Sequence, residues 1–258
     1  ATGRIIFSTS DAIFASESNF ATKLQNIPSI AGVVLISASG EKHAPIIARK
    51  AREMGKRVML ITNSPNSSAS QVFADDRSGF DEYILPKNRE PYTYNTSKYM
   101  SMIMGWTGEN PEEIEKFIHE VVDNLEMPDF SKYGKYFVIL PPEFSEVVRM
   151  ISVKFMELFG RNIARDVETT ECMKHATTVA PSNELFISFG EQNNDWGKPE
   201  NRFFVPLPEN ANYGAMIAIG YYIVGKIQAA YPNYFKDNIV SYTEEVSRIF
   251  GQTIRPIV

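Results

Sequence analysis

The stretch Ser37-Ala38-Ser39-Gly40 sets two hydroxyls directly before a glycine, and Lys42 follows with a full positive charge. Such a turn suits an anion. Hydroxyls donate hydrogen bonds, as do the free N–H groups at the start of a following helix. A glycine lets the backbone approach a ligand with no side chain in the way. Ser8-Thr9-Ser10 and Thr62-Asn63-Ser64 share this composition. Each turn alone reads as ordinary turn and capping chemistry; three at one edge of a sheet read as a site for a phosphate. A second set lies downstream. Lys154 and Glu157 are three apart on an expected helix and so share a face, and Glu171, Lys174 and His175 follow. A carboxylate and a histidine suit proton transfer when their neighbours tune them toward neutral pH. Their bland readings are a solvated ion pair and a surface or capping histidine.

These residues need elements to carry them. Apolar runs at Arg4–Phe7, Val33–Ile36, Val58–Ile61 and Glu82–Leu85 predict four strands, with a helix over Pro45–Met54 stopped by Gly55. Continuous apolar strands alternating with helices predict an α/β fold with a mostly parallel sheet covered on both faces. In such a sheet ligands sit beyond the carboxyl ends of the strands. Asn110-Pro111-Glu112-Glu113 is a helix start, with a capping side chain, a proline and acids in the first turn; helical spacing then runs from Ile114 to Leu125. The polar stretch Pro128–Lys135 reads as a linker, dividing a first domain, 1–130, from a second, 131–258. The second half begins again with a strand, Tyr136–Leu140, and an amphipathic helix, Glu143–Phe159. Strands at Leu185–Phe189 and Phe203–Leu207, a long apolar helix over Asn212–Ala229 and a helix over Thr243–Phe250 complete it. The exit Leu140-Pro141-Pro142 lacks glycines, so no second anion cradle is expected there.

Composition excludes several function classes. The 258 residues are 43% hydrophobic and 22% charged, enough to build a core, and the net charge of −5 with no basic run argues against a nucleic-acid partner. No stretch reaches the ~20 apolar residues that a bilayer span needs. The single cysteine, Cys172, permits no internal disulfide, and a cytoplasmic location is the expectation. Three scattered histidines and one cysteine form no metal-ligand spacing. There is no Gly-x-Gly-x-x-Gly and no phosphate-loop Gly-Lys-Ser/Thr. Neither a metal nor an organic cofactor is expected.

Val34-Leu35-Ile36-Ser37-Ala38-Ser39-Gly40-Glu41 resembles the signature of the sugar isomerase (SIS) family, a strand followed by Ser-x-Ser-Gly-Glu. Asn63-Ser64-Pro65-Asn66-Ser67-Ser68 is similar to a segment of the isomerase domain of glucosamine-6-phosphate synthase. So are Glu90 with Thr96-Ser97-Lys98, and Lys154-Phe155-Met156-Glu157 followed by Lys174-His175. The resemblance implies two SIS-type three-layer α/β/α subdomains and a phosphorylated sugar as ligand. It also implies a homodimer whose active site is shared between subunits. By position it assigns Ser10, Ser37, Ser39 and Ser97 to the sugar phosphate, with Ala38, Gly40 and Lys42 completing the turn. It makes Glu157 the base of an aldose–ketose isomerisation of a hexose or aminohexose 6-phosphate, with Lys154 beside it and His175 opening the ring. An amino-sugar-phosphate deaminase or deglycase would use the same parts. Ala176 and Thr177 stand where the family has Gly-Pro, which keeps a non-catalytic sugar-phosphate sensor as a further reading.

Overall fold

The computed structural model describes residues 1–86, 96–176, 182–251 and 253–255. They form two compact units, one holding the described residues from Thr2 to 86 and from 96 to Tyr99, the other those from Met100 on. In each, helices flank a parallel sheet. Among the described residues no helix is long and apolar enough to cross a membrane.

The first unit runs α1 (Thr2–Ile6), α2 (Phe20–Asn26), β1 (Gly32–Ile36), α3 (His43–Glu53), β2 (Arg57–Thr62), α4 (Ser68–Gln71) and β3 (Phe80–Ile84), and ends in the start of α5 (Thr96–Thr107). Its sheet has the order β1-β2-β3, with Leu35 opposite Leu60 and Val58 opposite Phe80. One face buries Leu35, Val58, Leu60 and Phe80 against Ala44, Ala48, Ala51 and Phe73. The three alanines recur at helical spacing on α3 and let it lie close to the strands. Phe73 and Phe80 stack at 4.3 Å.

The strand expected at Arg4–Phe7 is instead the helix α1, one turn with Ile5 and Ile6 buried. A run of three apolar residues fits a buried turn of helix as well as a strand, and periodicity cannot separate them at that length. Two hydroxyl-rich turns, not three, therefore follow strands. The other expected strands and the α3 helix are present within a residue or two of their predicted ends.

The second unit holds the rest of α5, then α6 (Pro111–Glu120), β4 (Lys135–Leu140), α7 (Val148–Phe159), β5 (Ala164–Thr169), α8 (Thr170–Ala176), β6 (Leu185–Phe189), β7 (Arg202–Val205), α9 (Tyr213–Ala229) and α10 (Tyr234–Phe250). Its strands lie in the order β5-β4-β6-β7. β4 and β6 are central and buried almost throughout, which explains their unbroken apolar sequences. β5 was not expected: it is an edge strand with Arg165, Asp166 and Glu168 in it. Residues Pro142–Val147 form 3₁₀ turns, so α7 starts later than the predicted helix. α9 crosses α7 closely, because Gly220 leaves room for Ile151; a Cβ on Gly220 would lie 2.7 Å from Ile151 Cδ1.

The compact units divide near residue 100. Side-chain chemistry ties the α5–α6 stretch to α9. The Glu109 carboxylate accepts from the N–H groups of Asn212, Gly214 and Ala215 at 2.9, 2.7 and 2.9 Å. Asp123 accepts from Tyr222 at 2.5 Å and pairs with Lys226 at 2.9 Å. These hydrogen bonds, with His119 adding a third, hold the Asp123 carboxyl well below the usual range.

Candidate functional site

β1 delivers the serine turn at its carboxyl end, as the sequence predicts. Ser37 continues the ladder, its N–H donating to Ile61 O at 3.0 Å. The chain then folds back on itself: Gly40 N–H donates to Ser37 Oγ at 3.1 Å and Glu41 N–H to Ser39 Oγ at 3.3 Å. A hydroxyl that accepts in this way still holds a proton to donate. The N–H groups of Ala38 and Ser39 have no hydrogen-bond partner among the described residues. The turn thus offers two backbone and two hydroxyl donors within three residues, the concave backbone arrangement that suits anions.

The exit of β2 braces this turn. Ala38 O accepts from Asn63 N–H at 3.0 Å and from Thr62 Oγ1 at 3.1 Å. Gly40 O accepts from Ala69 N–H at 3.0 Å, and Glu41 Oε1 accepts from Ser68 N–H at 2.9 Å. Gly40 is at φ +67°, and a Cβ there would lie 2.3 Å from Ser67 Oγ. Thr62, Asn63 and Ser67 are all buried. The hydroxyls of this second turn serve mainly as internal braces, and Ser37 and Ser39 remain the outward donors. Lys42 is exposed and adopts a left-handed backbone at φ 55°.

In the second unit, Lys154 Nζ lies 2.7 Å from Glu157 Oε2 on α7, with the side chains 12% and 24% exposed. The solvated surface pair of the bland reading is therefore excluded. Lys154 also sits over the Tyr221 ring at 5.1 Å. Burial, reinforced by the negative charge of Glu157, pushes the Tyr221 hydroxyl above its ordinary pKa. The group is a semi-buried carboxylate, an ammonium and a neutral phenol from two packed helices.

No family model and no curated protein matches the chain. Solved structures do. The tagatose-6-phosphate ketose/aldose isomerase of Escherichia coli is similar over 89% of this chain and 79% of that one, at 10% identity and a TM-score of 0.62. The fold is the sugar isomerase fold. The C-terminal domain of glucosamine-fructose-6-phosphate aminotransferase from Francisella tularensis shares it at 13% identity and a TM-score of 0.57, over 88% and 80% of the two chains. Glucosamine-6-phosphate deaminase from Thermotoga maritima shares it at 12% identity and 0.53, over 88% and 74%.

Within this sugar isomerase fold the expected residues divide clearly. Ser37, Ala38, Ser39 and Gly40 form one turn. Ser10 follows a helix, is exposed, and donates to Phe7 O at 2.7 Å. Ser97 is half-buried in the first turn of α5. His175 is exposed in the last turn of the short α8, and its side chain makes no hydrogen bond among the described residues. Glu90 and Thr177 lie outside the described residues. At the carboxyl edge of the second sheet, Gly190 packs closely: a Cβ there would meet Leu207 at 3.1 Å and Pro141 at 3.2 Å. Trp196 is core, packed with Phe137, Ile139, Met173 and Phe186, whereas Trp106 is exposed. A groove of about 630 Å³ lined by Arg49, Arg52, Glu53, Ser68, Gln71 and Val72 lies on the first unit. Its Arg52 is already bidentate to Asp75 at 2.8 Å, which makes it a poor anion site. No group of three or more potential metal ligands occurs among the described residues. Sequence reasoning missed Glu41 as a brace and Tyr221 as a neighbour of Lys154. The second had a signal, since Tyr221 sits on the apolar helix that had to pack against α7.

Proposed function

We propose that the protein binds a hexose or aminohexose 6-phosphate and interconverts its aldose and ketose forms. The observation that carries this is the turn after β1, where two amides with no partner among the described residues and two hydroxyls crowd beside a glycine that tolerates no side chain. The fold shared with phosphosugar isomerases supports the same reading. Ser37 and Ser39 hold the phosphate, with Ser97 and Lys42 as further contacts. Glu157 takes a proton from the carbon beside the carbonyl of the opened sugar and returns it to the neighbouring carbon. Lys154, at 2.7 Å, offsets the charge that moves through the carboxylate. His175 donates the proton that opens the ring, acting across a homodimer. No cofactor is required by this chemistry.

The test is turnover. Incubated with fructose 6-phosphate and followed by NMR, the protein is expected to form glucose 6-phosphate, and Glu157→Gln to lose at least ~100-fold in rate, the typical share of a positioned base. Full turnover by that variant would sink the assignment. Ammonia released from glucosamine 6-phosphate would favour the deaminase version of the same site. A second reading, a non-catalytic sugar-phosphate sensor, is favoured by one observation: the His175 side chain is exposed and has no partner among the described residues. Calorimetric binding of the same sugars without turnover would select that reading.

A further inference from the structure

α9 carries three tyrosines, and two of them have hydrogen-bond partners. The Tyr213 hydroxyl donates to Glu143 O at 3.0 Å, and that of Tyr222 to Asp123 Oδ1 at 2.5 Å. Tyr221 is half-buried, yet its hydroxyl makes no hydrogen bond among the described residues. A tyrosine withdrawn from water ordinarily finds a partner for its O–H within the protein. Packing fixes where this one sits. Gly220 lets α9 approach Ile151 of α7, and Lys154, three residues on, shares that face of α7. The Lys154 ammonium lies over the Tyr221 ring at 5.1 Å and 2.7 Å from Glu157 Oε2. The phenol is thus held in the field of the carboxylate. Burial, then that negative charge, push the hydroxyl above its ordinary pKa and keep it protonated. A neutral phenol is a hydrogen-bond donor that brings no charge of its own.

Taking a proton from the carbon beside a carbonyl moves negative charge onto the carbonyl oxygen. A donor held at that oxygen stabilises the transition state more than the bound sugar. We propose that Tyr221 is a further catalytic residue, whose hydroxyl donates a hydrogen bond to the enediolate oxygen formed as Glu157 removes the proton. The C–H bond breaks and its proton goes to Glu157. The electron pair forms the new C=C bond, and the carbonyl π pair moves to the oxygen. No proton leaves Tyr221. Glu157 loses its charge in the same step, so its repulsion of a more acidic phenol disappears just as the oxyanion forms, which makes Tyr221 a better donor at that moment. The inference rests on the isomerase reading above and adds to it the group that meets the oxyanion.

The experiment is steady-state isomerisation of fructose 6-phosphate by the full chain, with urea unfolding of each variant as the check on folding. Tyr221→Phe keeps the ring under Lys154 and removes only the hydroxyl, so its urea midpoint should stay near that of the wild type. Its kcat should fall about 100-fold, the usual cost of one oxyanion donor, with KM nearly unchanged. A ring that only packs would move neither constant. Tyr221→Leu removes ring and hydroxyl together and should lose at least as much in kcat; it serves if Tyr221→Phe does not fold. Wild-type kcat in either folded variant, with Glu157→Gln inactive, would overturn the inference while the isomerase reading stands. A loss confined to KM would overturn it too, since the hydroxyl would then hold the sugar and not the oxyanion. If the wild type shows no turnover, the isomerase reading fails and takes the inference with it.

Discussion

Gly40 carries the tightest constraint in the turn after β1. Its φ of +67° lies where L side chains are strained, and the space a Cβ would need is filled by Ser67, 2.3 Å away at Oγ and 2.4 Å at Cβ. Ser67 cannot yield easily, because it is buried and its Oγ accepts from Ser70 N–H at 3.3 Å as the cap of α4. Gly40→Ala therefore meets two costs at once. The left-handed backbone alone costs about 1–3 kcal/mol. Relief of the clash must move either the turn or the start of α4. We expect the variant to lose at least about 2 kcal/mol in urea unfolding and to bind fructose 6-phosphate at least tenfold more weakly. Wild-type stability together with wild-type affinity would show that the turn is not built around this contact.

At the scale of elements, Arg52 ties α3 to the chain beyond α4. Its guanidinium is bidentate to Asp75 at 2.8 Å on both arms and lies over the Phe73 ring at 5.5 Å. The hydrogen bond from Arg52, then the backbone hydrogen bond, hold the Asp75 carboxyl down to about 2 from an ordinary 3.8. A depressed carboxylate contributes stability that is fully present above its unfolded pKa and is lost as pH falls through the folded one. The tie should thus be intact above pH 3.8 and weaken as pH drops toward 2. In urea titrations Asp75→Asn is expected to show a shallower fall in midpoint across that window than the wild type. An identical fall would mean that Asp75 contributes nothing to acid sensitivity. Elements such as this loop were hard to read from sequence, while others were plain. β4 and β6 announce themselves because they are buried enough to be continuously apolar, β1 and β2 by apolar runs of the same kind although β1 is an edge strand with Val34 exposed, and Asn110-Pro111 marks α6 because a cap is a local device. β5 is hidden by the polar side chains of an edge strand, and α1 by its brevity. Glu109 at the start of α9 is invisible because its partners are distant in the chain. The candidate site divides the same way. Ser37-Ala38-Ser39-Gly40 is legible as strand, hydroxyls and glycine in sequence, whereas the brace from Ser68 N–H to Glu41 depends on a residue 27 positions away.

For the molecule as a whole, a net charge of −5 offers no long-range attraction to a dianion, so affinity has to come from local donors. Proton transfer raises a different whole-molecule question, since Glu157 is sheltered beside Lys154 while the His175 side chain is exposed with no partner among the described residues. A histidine that works in ring opening must be oriented by something, and the proposed homodimer supplies that something from a neighbouring subunit. The arrangement has a quantitative signature. Glu157→Gln and His175→Gln should each be inactive alone as homodimers. Refolded together in equal amounts, half of the dimers are mixed. In a mixed dimer one of the two shared sites pairs an intact Glu157 from one subunit with an intact His175 from the other. Activity should then return to about a quarter of the wild-type level, because an isologous two-fold interface builds each site from both chains. If both residues act within one chain, every site in the mixture lacks one of them and no activity returns. That outcome would remove the dimer from the mechanism while leaving the serine turn and its ligand untouched.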